Sequence, residues 1–105
     1  MTRALFVCGK ARMRSPTAAD IVLSWGVDAD FAGLSYDADE KLSAEQIEWA
    51  DVIFVMEARH KKRLSALFGL LLAQKRVVNL GVPDKFKYMA PDLVAVLTPK
   101  LIHLK

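Results

Sequence analysis

Short apolar runs alternate along this chain with segments whose apolar residues recur at helical spacing. The continuous runs at residues 3–7 and 51–56 are typical of strands buried on both faces of a sheet. Two weaker runs, at residues 27–34 and 75–80, predict further strands, and Gly33 marks a bend in the first of them. The pattern therefore predicts four strands.

A helix is predicted after the loop that follows the first strand. Apolar residues at i, i+3, i+4 and i+7 begin at Ala18. Ser15 fits the N-cap and Pro16 the first helical position, while Gly26 fits the end of the helix. This segment should pack one apolar face against the sheet.

Three more helices are expected later in the chain. Ser43 and Gln46 fit a capping box that opens a short helix. Apolar residues at helical spacing over residues 64–71 predict another helix. A last helix should start at Pro91, and Pro99 should kink or end it because proline lacks an amide hydrogen.

Strands and helices in alternation indicate an α/β fold with a parallel sheet and helices on both faces. With 105 residues, we expect a single domain over residues 1–105. Ligands of such sheets bind beyond the carboxyl ends of the strands, often at a helix N-terminus. The segment from Cys8 to Ser15 lies between the first strand and the first helix, so it is the leading candidate site.

Composition narrows the choice of compartment and partner. Cys8 is the only cysteine, so no intramolecular disulfide can form, which suits a reducing cytosol. No secretory signal is recognisable, and no apolar run approaches the roughly 20 residues that span a bilayer. A net charge of +3 suits an anionic substrate, but no aromatic stacking platform accompanies it. We therefore expect a cytoplasmic protein that binds neither membrane nor nucleic acid.

The loop from Cys8 to Ser15 has the pattern C-x5-R-S, which fits a cysteine phosphatase. Such an enzyme needs a thiolate near neutral pH, and a helix N-terminus with nearby arginine favours one. Arg14 can give two parallel hydrogen bonds to a phosphoryl group, and Ser15 can donate one to the Cys8 sulfur. The loop amides can ring the phosphate as an anion nest. The expected phosphate-binding residues are Gly9, Lys10, Ala11, Arg12, Met13 and Arg14.

Plainer interpretations exist for parts of this loop. Cys8 could be a small buried residue at a strand end, and Arg12 is better explained as a solvated side chain than as a specific substrate contact. The later basic cluster that begins at Arg59 is typical of a solvated helix face. His60 and His103 have no second ligand at a recognisable spacing, so we expect surface histidines and neither metal nor cofactor.

The stretch over residues 5–18 resembles the phosphate loop and first helix of the low-molecular-weight protein tyrosine phosphatases. Further segments resemble its short bacterial branch in the same order, at residues 32–33, 47–57, 82–84 and 88–94. The resemblance implies a three-layer α/β/α fold with a four-stranded parallel sheet in the order 2-1-3-4. It also implies hydrolysis of phosphomonoesters, above all protein phosphotyrosine, through a phosphocysteine intermediate. Phosphorylated proteins or small phosphomonoesters would be the substrates, and inorganic phosphate or other oxyanions would bind in the loop.

The resemblance also implies a general acid from a loop late in the chain. Longer members of the family carry it in a D-P-Y motif, which this sequence lacks. Asp84, directly after Pro83, is the best match, although a Pro-Asp pair is also common in ordinary turns. The next candidates are Asp37, Asp39 and Asp92.

Two positions depart from the family pattern. Ala11 stands where the family usually has asparagine, and Phe31 where it usually has serine. Both polar side chains help to hold the loop in shape, so their loss predicts either bracing through Lys10 or Arg12 or a weakened enzyme. If Ala11 keeps a left-handed backbone, the strain amounts to about 1–3 kcal/mol.

Four other functions compete with the phosphatase. A catalytically inactive phosphate- or phosphoprotein-binding module fits the two departures. A phosphocarrier similar to sugar-phosphotransferase enzyme IIB does not usually carry the closing arginine, here Arg14. An arsenate reductase needs a relay between cysteines, which a lone Cys8 cannot supply. A nucleic-acid binder would need the stacking platform that is missing.

Overall fold

The computed structural model describes residues 2–105, in which four strands form one parallel sheet. The strands are β1 (Arg3–Cys8), β2 (Asp28–Gly33), β3 (Val52–Val55) and β4 (Arg76–Asn79). Their order is β2-β1-β3-β4, and every neighbouring pair is parallel. The predicted strands and the sheet order are confirmed.

Helices connect the strands and follow the last one. They are α1 (Arg14–Ser24), α2 (Ala44–Trp49), α3 (Ala58–Phe68) and α4 (Pro91–Leu101), with 3-10 turns at Gly69–Leu72 and Ile102–Leu104. The capping box of α2 is confirmed: Gln46 N–H donates to Ser43 Oγ at 3.2 Å, and Ser43 N–H donates to Gln46 Oε1 at 3.1 Å. Among the described residues, no helix combines the length and apolar character needed to cross a membrane.

Two helix boundaries differ from the prediction. The N-cap of α1 is Met13, so Ser15 lies in the first turn instead of capping the helix. The hydroxyl of Ser15 faces the sulfur of Cys8, which explains why it does not cap an amide. Pro99 does not end α4 at once; the helix continues to Leu101. Pro99 is solvent-exposed in the last turn, and so is Ala95, so water can solvate the carbonyl that loses its partner.

The sheet carries an apolar core on each face, as the predicted three-layer architecture requires. Phe6 of β1 packs into the core that α1 and α4 cover, and its ring stacks on Phe54 with centroids 5.1 Å apart. Leu5 and Val7 point to the opposite core, which Ile47 of α2 and Leu64 of α3 complete. The cores fix β1 and β3, so the loops at their carboxyl ends meet at one edge of the sheet.

Candidate active site

A cavity of about 310 Å³ opens at the carboxyl edge of the sheet. Residues 8–10 and 12–14, the loop between β1 and α1, line one side of it. Ser35 and Asp84, in the loops after β2 and β4, and Arg59, in the first turn of α3, line the rest. The structure therefore brings most of the predicted site residues to a single cavity.

Cys8 ends β1 with its side chain almost fully buried. Its Sγ lies 3.0 Å from Ser15 Oγ, and the N–H of Ala11 donates to it at 3.3 Å. A hydroxyl and an amide can thus both donate hydrogen bonds to the sulfur. Such donors suit a sulfur that carries negative charge as nucleophile or as leaving group.

Arg14, the first residue of α1, is buried, with 3% of its surface exposed. Its Nη1 donates to Glu57 Oε1 at 2.5 Å and to the carbonyl of Val82 at 2.8 Å. Within residues 2–105, Nε and Nη2 of Arg14 have no hydrogen-bond partner. The Glu57 and Val82 contacts hold the guanidinium by one nitrogen and leave an edge free for two parallel bonds to phosphoryl oxygens.

Asp84 lies in the loop that follows β4, two residues after the carbonyl that holds Arg14. Its Oδ1 is 3.8 Å from Arg14 Nη2, and 63% of its side chain is exposed. Asp92, another candidate acid, lies in the first turn of α4 and does not line the cavity. Of these two acidic residues, only Asp84 lines the cavity.

Solved structures share this arrangement of strands and helices over nearly the whole chain. A low-molecular-weight protein tyrosine phosphatase from Streptococcus pyogenes, SP-PTP, superposes with TM-score 0.76 at 17% identity, covering 100% of this chain and 94% of that one. The fold is that of the low-molecular-weight protein tyrosine phosphatases. The tyrosine phosphatase Wzb from Escherichia coli K30, in complex with phosphate, gives TM-score 0.75 at 16% identity and covers 99% and 96%. The YwlE arginine phosphatase from Geobacillus stearothermophilus gives 0.70 at 21% identity and covers 99% and 95%. No family model and no curated protein matches the sequence.

On this phosphatase fold, the loop after β1 keeps a left-handed residue at Ala11, whose φ is 59°. Alanine pays a steric cost in that region, about 1–2 kcal/mol. The loop also lies directly against Gly33 of β2. A Cβ on Gly33 would stand 2.7 Å from the carbonyl oxygen of Gly9 and 3.0 Å from the amide nitrogen of Ala11. Only glycine leaves room for the loop at this position.

Besides Gly33, the segment after β2 supports the loop after β1, through backbone hydrogen bonds. Leu34 N–H donates to the carbonyl of Cys8 at 3.0 Å, and Ser35 N–H donates to that of Gly9 at 2.9 Å. Asp39 N–H donates to the carbonyl of Lys10, also at 2.9 Å. Three carbonyls of the loop therefore point outward to this segment, which leaves its amides free to turn inward.

Two ion pairs reinforce this support. Lys10 Nζ lies 3.2 Å from Asp37 Oδ2, and Arg12 Nε donates to Asp39 Oδ1 at 3.0 Å. The hydrogen bond from Lys10 holds the pKa of Asp37 below its usual value. The loop that lacks asparagine at Ala11 is thus braced through Lys10 and Arg12. Because Asp37 and Asp39 occupy these pairs outside the cavity lining, they are poorly placed as general acids.

Phe31, which stands where the resemblance implied a serine, lies in β2. Its side chain packs against the core that α1 and α4 cover. Its carbonyl accepts a hydrogen bond from Gln46 Nε2 at 3.3 Å. Phe31 therefore stabilises β2 by packing, and the polar bracing of the loop comes from the segment after β2.

Sequence reasoning missed the role of Glu57, which follows β3 at the same edge of the sheet. Its Oε1 accepts from Arg14 Nη1 and from Arg59 Nη2, the latter at 3.2 Å, and its Oε2 accepts from Arg59 Nε at 3.0 Å. These bonds from Arg59, with the hydrogen bond and charge of Arg14, lower the pKa of Glu57 to about 2. A carboxylate directly after a buried strand was the signal that could have revealed it.

The surface prediction for His60 is wrong, whereas His103 is exposed as predicted. His60 is 4% exposed in the first turn of α3, where its Nδ1 accepts the N–H of Glu57 at 3.1 Å. Its buried Nε2 has no hydrogen-bond partner within residues 2–105. Burial, and then the charge of Arg14, lower its pKa to about 4, so the ring is neutral at pH 7.

Proposed function

We propose that this chain hydrolyses phosphate monoesters through a phosphocysteine intermediate on Cys8. The observation that carries the proposal is the cavity in which the Cys8 sulfur, with donors from Ala11 and Ser15, shares one lining with Arg14 and Asp84. The tyrosine and arginine phosphatases of the same fold support it. Protein phosphotyrosine is the substrate that the sequence resemblance implies.

In the first step the Cys8 thiolate attacks phosphorus, so that an S–P bond forms while the bond to the leaving oxygen breaks. Asp84, in its protonated form, gives its proton to that oxygen and becomes a carboxylate. Arg14 and the loop amides bind the three non-bridging oxygens and follow the charge as it redistributes. The buried ion pair with Glu57 keeps the guanidinium in place, so little reorganisation is needed during the reaction.

In the second step a water molecule attacks the phosphorus of the phosphocysteine. The Asp84 carboxylate accepts the proton of that water, and the S–P bond breaks. Inorganic phosphate leaves, and Cys8 returns to the thiolate that Ser15 can stabilise by a hydrogen bond. The reaction consumes one water and regenerates both Cys8 and Asp84, so no cofactor is required.

The test is steady-state hydrolysis of an aryl phosphate across pH, comparing the wild type with Cys8→Ser. We expect the wild type to release phosphate and the Cys8→Ser variant to lose at least about 10³-fold, because serine lacks a comparable anion at these pH values. Equal activity of the two proteins would refute a cysteine nucleophile. If neither protein turns over but both bind inorganic phosphate, the chain is instead the inactive phosphate-binding module.

A further inference from the structure

Among residues 2–105, the side chains that line the cavity are mostly cationic, and none of them is aromatic. Besides Arg14, this part of the lining contains Lys10, Arg12 and Arg59, with Asp84 as its one acidic residue. Met13 is the largest apolar side chain of the lining. Such walls offer a phenyl ring little apolar surface and offer an anion several donors.

Tyr36, next to Ser35 in the chain, is exposed but does not line the cavity. The two aromatic residues that follow Asp84 are engaged elsewhere. Phe86 packs against the core that α1 and α4 cover, with Lys85 Nζ 5.5 Å from its ring centre. Tyr88 donates a hydrogen bond to Asp20, and it lines a separate depression on the other side of the phosphate loop. Neither ring contributes to the lining of the cavity above Cys8.

Lys10, Arg12 and Arg59 are each paired with a carboxylate. Asp37 and Asp39 hold Lys10 and Arg12, and Glu57 holds Arg59, but none of these three acids lines the cavity. A ligand in the cavity would therefore face the cations and not the carboxylates that pair with them. Because the potential of a charge falls with distance, the nearer positive groups dominate at the ligand.

We infer that the preferred substrate is a phosphomonoester whose leaving group carries a second anionic group, which Lys10, Arg12 and Arg59 bind at the mouth of the cavity. This inference rests on the proposed function, in which Arg14 and the loop amides bind the transferred phosphoryl group and the other cations do not. The three cations are partly exposed and come from two elements, so they can reach an anion outside the phosphate pocket. The shared chemistry fits either a small phosphorylated carboxylate or a phosphopeptide with acidic neighbours.

The test compares 4-carboxyphenyl phosphate with 4-carbamoylphenyl phosphate, which has nearly the same shape but a neutral substituent. We expect kcat/KM to favour the carboxylate by about tenfold at low salt, since one or two ion pairs at about 4 Å in water contribute roughly that much. The ratio should approach one at about 1 M salt, because the Debye length is then only about 3 Å and the charges are screened from each other. A carboxylate-to-carbamoyl ratio near one at low salt would overturn the inference.

Substitutions at the cations test where the second anionic group of the substrate binds. Lys10→Gln and Arg59→Gln should each lower the carboxylate-to-carbamoyl ratio by about twofold, a third of the tenfold preference on a logarithmic scale, because three cations share it. Lys62→Gln is the matched control, because Lys62 is exposed on the same helix as Arg59 but outside the cavity lining. A preference that Lys10→Gln and Arg59→Gln leave intact would contradict the inference, because the attraction would then arise elsewhere.

Binding separates this inference from the proposed function. Calorimetry with the Cys8→Ser variant compares the affinities for the same two compounds without turnover. Tighter binding of the carboxylate supports the inference even if the wild type hydrolyses neither compound, whereas equal binding overturns it even if both are hydrolysed. The same comparison with phosphotyrosine peptides, flanked by aspartate or by alanine, distinguishes a peptide source of the second anion from a small molecule.

Discussion

Gly33→Ala should damage both the stability of the fold and the shape of the phosphate loop. The added Cβ would stand 2.6 Å from Ala38 Cβ, 2.7 Å from Gly9 O and 3.0 Å from Ala11 N. Carbon contacts are comfortable at about 3.5–4.0 Å, so the loop must retreat by about 0.5–1 Å. Overpacking of this kind costs about 1–3 kcal/mol. A displacement near 1 Å at a reacting site can cost about 10²-fold in rate.

Urea unfolding measures the stability loss, and kcat/KM on 4-nitrophenyl phosphate measures the loss of loop geometry. The control is Gly69→Ala, because nothing lies within 4 Å of a Cβ there and the backbone is helical. That variant should equal the wild type or gain about 0.5–1 kcal/mol, as alanine favours helix over glycine. Gly33→Ala with wild-type stability and activity would show that the close packing of Gly33 against the loop after β1 does not shape that loop.

Three further predictions concern single side chains. Arg14→Lys should lower kcat/KM by orders of magnitude while the fold survives, because lysine cannot form two parallel bonds to a phosphoryl group; Arg12→Ala should cost less, and the reverse order would refute the roles given to these arginines. Asp84→Asn should slow phenyl phosphate by about 10²–10⁴-fold but an activated nitrophenyl ester far less, because the better leaving group needs less help from an acid; equal small losses would mean that Asp84 only shapes its turn. The lowered pKa of His60, about 4 against an ordinary 6.5, means that only the unfolded chain binds this proton between those values. Wild-type stability should therefore fall as pH drops from about 6.5 to about 4, and His60→Asn should flatten that slope in urea midpoints; an unchanged slope would contradict the buried, neutral ring.

The strands could be predicted from the sequence because their apolar runs are local patterns. Strands β1 and β3 are buried on both faces, so their apolar runs are continuous. Their predicted limits are therefore close to the observed ones. The sheet order came from the resemblance, since strand pairing is not written in any local pattern. The cap assigned to Ser15 was wrong because its hydroxyl has a tertiary partner, the sulfur of Cys8.

The residues of the site that lie in one loop could be predicted from the sequence, whereas those distant in sequence could not. Cys8 and Arg14 lie in one loop, so a single pattern contains both. Glu57 meets Arg14 only because β3 lies beside β1, and the two residues are 43 positions apart in the sequence. The partners of Lys10 and Arg12 likewise depend on how the segment after β2 folds back on the loop.

Rapid quenching of the enzyme during turnover of a phosphate-radiolabelled phenyl phosphate tests the phosphocysteine most directly. Peptide mapping of the quenched protein should place the label on the peptide that contains Cys8, and Cys8→Ala should carry none. The Asp84→Asn variant should also carry label there, since Asp84 only moves protons. Release of phosphate from substrate with no label on Cys8 at any quench time, or hydrolysis that survives Cys8→Ala, would contradict the proposed mechanism.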